Sequence, residues 1–340
     1  NFPRISLPRY GHQIPKDYDA YLKLTENISN FMNIEIDGNH DLFGVYNYSQ
    51  KRKREDKNVS RHDYMISAKN ISIGNKNYSI ISMNPFNFPS PHPPFIFYAH
   101  PSQRFMDHLE ELISTIPPEN EIIAISHFPM YQWFIGHKSS NGKSFKEIMT
   151  SGRIKVFLNG HLHTENPCIQ HHKNIKNPKN NGLLEIVGSD LMKHKKMAIC
   201  VIDNERFTYH SINVDEDTSN LALITNPIPK SLISSRQIFN EKDTYIRVIS
   251  YQKDRVPNID FSTSTIKGHL NCTKFDHFWL CQMPVNFDSG DQLLEFTGDL
   301  QKTIEFTVRD SVDSYKEDVY QFYTSRPIIY FILLIILVLR

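Results

Sequence analysis

Cysteine is scarce. The chain has four in 340 residues (Cys168, Cys200, Cys272 and Cys281), with no C-x-x-C pair. That excludes a disulfide-stapled scaffold and a cysteine-ligated zinc module. Excess charge of either sign is missing too, since 38 basic residues face 37 acidic ones for a formal charge of +1. A dedicated nucleic-acid binder needs a basic surplus to meet phosphates, so no nucleic-acid partner is indicated. There is no initial Met and no signal-peptide pattern. Long apolar runs are confined to one, the twelve residues from Ile328 to Leu339.

What is present is enough for a large core: 39% hydrophobic residues, including 22 Phe. Length over ~150 residues per domain gives about two domains. The Ile328–Leu339 run falls short of the ~20 residues that a spanning helix needs. Following Pro327 and closing the chain, it reads as the start of a transmembrane segment over residues 327–340, which predicts a membrane location with the side left open. The beginning and end together give the expectation of a piece of a longer protein. Six N-x-S/T sequons, at Asn27, Asn47, Asn58, Asn70, Asn77 and Asn271, hint at a luminal or extracellular face. In such a compartment Cys272 and Cys281 could bridge, although two thiols in a reducing compartment have the same spacing.

The first two hundred residues alternate apolar runs with helical patterns. Phe31–Ile36 predicts a short strand and Tyr78–Met83 a buried one. Phe105, Leu109, Leu112, Ile113 and Ile116 recur at three- and four-residue steps, the period of an amphipathic helix. Glu121–Ser126 and Ile154–Leu158 predict further strands, and His171, His172 and His194 fall in polar stretches that read as solvated loops. Strand, helix, strand is the layout of a layered α/β domain, expected over residues 1–215. From residue 216 to 324 short strand-like runs are separated by polar turns, which predicts an all-β sandwich of immunoglobulin-like type.

Three motifs share one predicted place, just after a buried strand: Gly38-Asn39-His40-Asp41, Ser126-His127-Phe128-Pro129 and Gly160-His161-Leu162-His163. Sites in open α/β sheets collect at the carboxyl ends of strands. Each motif alone has an ordinary explanation. Gly-Asn favours a tight turn, a lone strand-end His commonly bonds a backbone carbonyl, and His-x-His can be a surface loop. Together, in this order, they point to a set of imidazole and amide ligands for a divalent ion.

These three motifs resemble the later half of the calcineurin-like metallophosphoesterase signature, whose earlier D-x-H and G-D motifs have no counterpart here. Pro85–Phe88 (PFNF), Gly160–Thr164 (GHLHT), Leu223–Pro227 (LITNP) and Ile246–Val248 (IRV) also resemble the transmembrane protein 62 group, in which such a domain precedes an immunoglobulin-like one and membrane spans. The resemblance implies a layered metallophosphoesterase fold, N-terminally incomplete. It implies Asn39, His127 and His161 as ligands of a second metal and His163 as a ligand of a first. It further implies that His40, oriented by Asp41, sits over the phosphate as a catalytic residue.

Two divalent ions, of the Mn, Fe, Zn or Ni kind, are implied for the complete protein, and at most one weakly bound here, because the bridging carboxylate is missing. The implied activity is hydrolysis of a phosphate ester of unknown class by a membrane-anchored, metal-dependent enzyme that is inactive as this fragment. The alternative is a catalytically silent binding or adhesion module at a membrane.

Overall fold

A computed structural model describes residues 34–42, 65–87, 97–134, 136–173, 182–216, 220–234 and 240–309. The apolar 327–340 segment lies outside the described residues. So do the sequons at Asn27, Asn47 and Asn58.

A six-stranded sheet carries the candidate site. Its strands are β1 (Ile66–Ile73), β2 (Lys76–Met83), β3 (Glu121–Ser126), β4 (Ile154–Thr164), β5 (Cys168–Lys173) and β6 (Gly182–Ser189), in the order β1-β2-β3-β4-β6-β5. The central strands β2, β3, β4 and β6 are parallel, while β1 and β5 close the two edges antiparallel. Alternation along these strands divides their side chains between two cores. Ile122, Ala124, Ile154 and Phe157 face one core, with Phe105, Met106 and Leu109 of helix α1 (Gln103–Thr115). The helix follows the apolar period, and Ser102 caps it by accepting from Phe105 N–H at 3.2 Å. The short helix α2 (Phe145–Met149) joins this core by stacking Phe145 on Trp133, with ring centroids 3.5 Å apart.

The other face overturns the layered α/β expectation. Ile123, Val156, Leu184 and Ile186 pack against Phe207 and the segment bearing Ile228, Leu232 and Ile233. Phe207 belongs to a separate two-stranded ribbon of β7 (Lys196–Asp203) and β8 (Arg206–Asn213). A helix-covered second face would complete a layered α/β domain; here strand and coil cover it. Strand dominates the described residues, which form four sheets. Beyond α1, the α-helices among them are α2 and α3 (Leu191–His194), of five and four residues. None of these helices is long and apolar enough to cross a membrane, so the expected transmembrane feature finds no support among the described residues.

The remaining strands form two four-stranded antiparallel sheets. One pairs β9 (Ala222–Asn226), β10 (Asp243–Ser250), β13 (Asn271–Lys274) and β14 (Trp279–Asn286). The other pairs β11 (Ile259–Ser262), β12 (Lys267–His269), β15 (Gly290–Gly298) and β16 (Lys302–Val308). Ile246 and Val248 from the first meet Phe261, Phe296 and Phe306 from the second in one core. Cys272 and Cys281 stand opposite each other in the β13–β14 register and are joined by a disulfide.

Candidate functional site

Each of the three motifs is held by a different local device. Residues 34–38 have no regular structure, contrary to the strand expected through Ile36. The segment is pinned instead by side chains. Asp37 N–H donates to Asn84 Oδ1 at 2.7 Å just past β2, and Leu42 is fully buried in the helix-covered core. Between these anchors Asn39–Leu42 winds into a single 3-10 turn. Asp41 closes it, since its Oδ2 accepts from Gly38 N–H at 2.7 Å.

His127 follows the last residue of β3 directly. His161 and His163 lie within β4, which continues beyond the expected end at Leu158. They sit where its pairing with β6 breaks register between Asn159 and Thr164. Val187 and Ser189 of β6 bracket what Asn159 to Thr164 span on β4, so the intervening residues bulge outward. Both histidines have left-handed backbones, with φ of 71° at His161 and 50° at His163. Non-glycine residues rarely adopt this conformation, and it clusters where side-chain aim matters.

The bulge brings three of the four expected ligands together. His127 Nε2 lies 2.9 Å from Asn39 Oδ1 and 2.9 Å from His161 Nδ1. A single ring nitrogen carries at most one proton, so His127 Nε2 cannot donate to both contacts at once. Asn39 is fully buried, and among the described residues its Nδ2 has no hydrogen-bond partner, while its Oδ1 faces His127. Ligands bonded at ~2.1 Å in cis positions of an octahedral shell stand about 3.0 Å apart. Both distances from His127 Nε2 match that separation.

Burial keeps the imidazoles neutral. Desolvation, reinforced by His161, His40 and His163, lowers His127 to about 3. Desolvation, with His163 and His40, lowers His161 to about 4. Their lone pairs are thus available near neutral pH. Phe128, fully buried, supports both rings, with centroids 5.0 Å from His127 and 4.9 Å from His161.

His163 lies close enough to act on the charges of His127 and His161, but its ring is paired with Asp190. Its Nδ1 is 3.3 Å from Asp190 Oδ2, and its side chain is 42% exposed. His40 is exposed at the turn. Partial desolvation of its ring and the nearby His163 lower its pKa, while Asp41 works in the opposite direction. Among the described residues, no group of three or more His, Cys, Asp or Glu is arranged to hold a metal. The donors that meet among the described residues are thus two imidazoles and one amide oxygen, with no second ligand set for a pair of ions grouped beside them.

Sequence reasoning missed Glu185. This residue is fully buried in β6, and its Oε1 accepts from Met130 N–H and from Asn159 Nδ2, each at 2.7 Å. His172, expected in a solvated loop, lies on edge strand β5 and contacts Glu185 Oε2 through Nε2 at 2.5 Å. His171, expected there too, bonds the Ser231 carbonyl through Nε2 at 3.0 Å. An isolated acid in the run Leu183-Leu184-Glu185-Ile186-Val187 was the available signal, since burying one without partners is costly.

Compared with known proteins, the chain is 25% identical over 297 residues to transmembrane protein 62 of Mus musculus, a match covering 82% of this chain and 42% of that protein. The chain thus spans under half the length of this relative, and the likeness supports a distant relation to that group. No known family profile matches the chain, so membership of the calcineurin-like metallophosphoesterases, expected from the motifs, finds no support there.

Proposed function

We propose that this chain contributes three neutral donors, Asn39 Oδ1, His127 Nε2 and His161 Nδ1, to a site that binds one divalent cation and acts on a phosphate ester. The observation that carries the reading is the meeting of these atoms, from segments 88 and 34 residues apart, within 2.9 Å of a single nitrogen. Mixed nitrogen and oxygen donors suit Mn, Fe, Zn or Ni better than Ca.

When bound, such an ion offsets phosphate charge and acidifies a coordinated water. The chain's own groups do the rest. Asn39 adds no charge, so the positive field stays available to an anionic ester. Phe128 packs against both imidazoles and fixes their rings. His40, exposed beside the trio and lowered in pKa, can present a neutral ring to the phosphate or take up a proton there. The distant relative is named as a transmembrane protein, which supports placing this activity at a membrane.

The test is hydrolysis of a generic phosphodiester with added Mn, by the longest native chain that carries these residues. Activity that His161→Ala abolishes supports the proposal. No activity in metal-loaded protein contradicts it.

A second reading has an observation of its own. The described residues place no carboxylate among the three donors, and a phosphoryl-transfer centre ordinarily uses one to hold a second ion. A silent module that binds a phosphorylated partner through one ion needs no such carboxylate. Binding of a phosphodiester without turnover would favour it.

A further inference from the structure

The structure assigns Glu185 as the positioning residue that aligns the two histidine loops of this site. The assignment rests on the reading of Asn39, His127 and His161 as one site, but not on any chemistry performed there.

The loop after β3 and the bulge of β4 reach the site separately, and something must hold them in register. One link is backbone, since Gly160 N–H donates to the His127 carbonyl at 3.0 Å. The other runs through Glu185 Oε1, which takes one hydrogen bond from each loop. Met130 N–H lies three residues beyond His127, and Asn159 Nδ2 lies two residues before His161. Carboxylate acceptors make the stronger, charge-assisted kind of hydrogen bond. Both distances, 2.7 Å, are short for N–H···O.

The position of Glu185 makes the link stiff. It lies on β6, paired with Phe157 of β4 on one side and with Gln170 of β5 on the other. Its second oxygen is engaged by His172, whose strand pairs antiparallel with β6. The carboxylate is therefore tethered at both oxygens, with no exposed area. Neither loop can slide past the other without leaving this buried acceptor unpaired, which is costly. The left-handed backbones at His161 and His163 need such support, because strained residues persist only where surrounding contacts over-determine them.

The test compares wild type with Glu185→Leu, a change of similar size that removes both acceptor oxygens, and reads two quantities. The first is the imidazole nitrogen NMR signature of the His127–His161 contact in metal-free protein, recorded well below the melting temperature. The second is Mn(II) affinity by electron paramagnetic resonance.

Loss of the shared imidazole signature, with folding intact by circular dichroism, is expected in Glu185→Leu. A roughly tenfold or greater loss of Mn(II) affinity should accompany it, as for other partners that orient metal ligands. An unchanged imidazole signature overturns the assignment, whatever the metal does. Should Glu185→Leu fail to fold, Asn159→Ala removes only one of the two donors and carries the same expectation. Wild-type protein that shows the imidazole contact but takes no Mn(II) would contradict the proposed function while leaving the role of Glu185 to the signature alone.

Discussion

The imidazoles of His127 and His161 meet nearly edge-on, at 78°, with ring centroids 4.9 Å apart. Two cationic rings at that distance would repel, so the contact excludes the doubly protonated pair, in keeping with the lowered pKa of each ring. It is at once a packing contact and a pair of ligands, and changes nearby should register in both roles.

Gly38 leaves little room beside this contact. A Cβ there would lie 3.0 Å from His127 Cε1 and 3.3 Å from Asp41 Oδ2. Gly38→Ala is therefore expected to push the His127 ring away from Asn39 and to weaken Mn(II) binding about tenfold, in the range seen when ligand orientation is lost. Paramagnetic titration of the variant checks this. Global stability should change little, because the rest of the turn remains anchored by Leu42.

Acid should destabilise the protein through histidines that fold neutral. His210, in β8 and remote from the three motifs, is lowered to about 4 by burial, with Lys302 adding to the effect. Above pH 6.5 the ring is neutral in both folded and unfolded chains and contributes no pH dependence. As pH falls below 6.5 the unfolded chain takes up a proton that the folded one refuses, so stability declines until about pH 4. Metal-free His127 and His161 act in the same direction. Urea unfolding between pH 7.5 and 5 should show stability falling with pH, and His210→Gln should reduce the slope by up to one proton. A flat profile would contradict the burial of these rings.

The disulfide makes a separate prediction for the second half of the chain. Cys272 and Cys281 are nine residues apart, and closing a loop of that size stabilises by about 2.5 kcal/mol through the unfolded chain. Cys272→Ser should lower stability by about that amount. The unfolding can be followed through Trp279, which lies beside Cys281 on β14 and donates from Nε1 to the Gln252 carbonyl at 2.9 Å.

The three motifs were legible in the sequence because each is a local statement: a polar turn or an imidazole pair next to an apolar run. Helix α1 was legible for a similar reason, since its apolar residues repeat at a period that no strand has. The cover of the second sheet face was not. The residues of β7 and β8 look like strands whichever sheet they join, and only tertiary structure reveals that Phe207 shares a core with Val156 and Leu184 while its ribbon stays outside the main sheet.

Glu185 was illegible for another reason. Its partners at Met130 and Asn159 lie 55 and 26 residues away, and a single acid in an apolar run does not name them. His172 misled through composition, because edge strands carry polar and charged residues that resemble a loop.

The most direct test of the central claim is anomalous diffraction at the manganese edge from crystals grown with Mn(II). A single peak is expected about 2.2 Å from Asn39 Oδ1, His127 Nε2 and His161 Nδ1. No peak at that point with metal in excess, or a peak held by other side chains, would contradict the account.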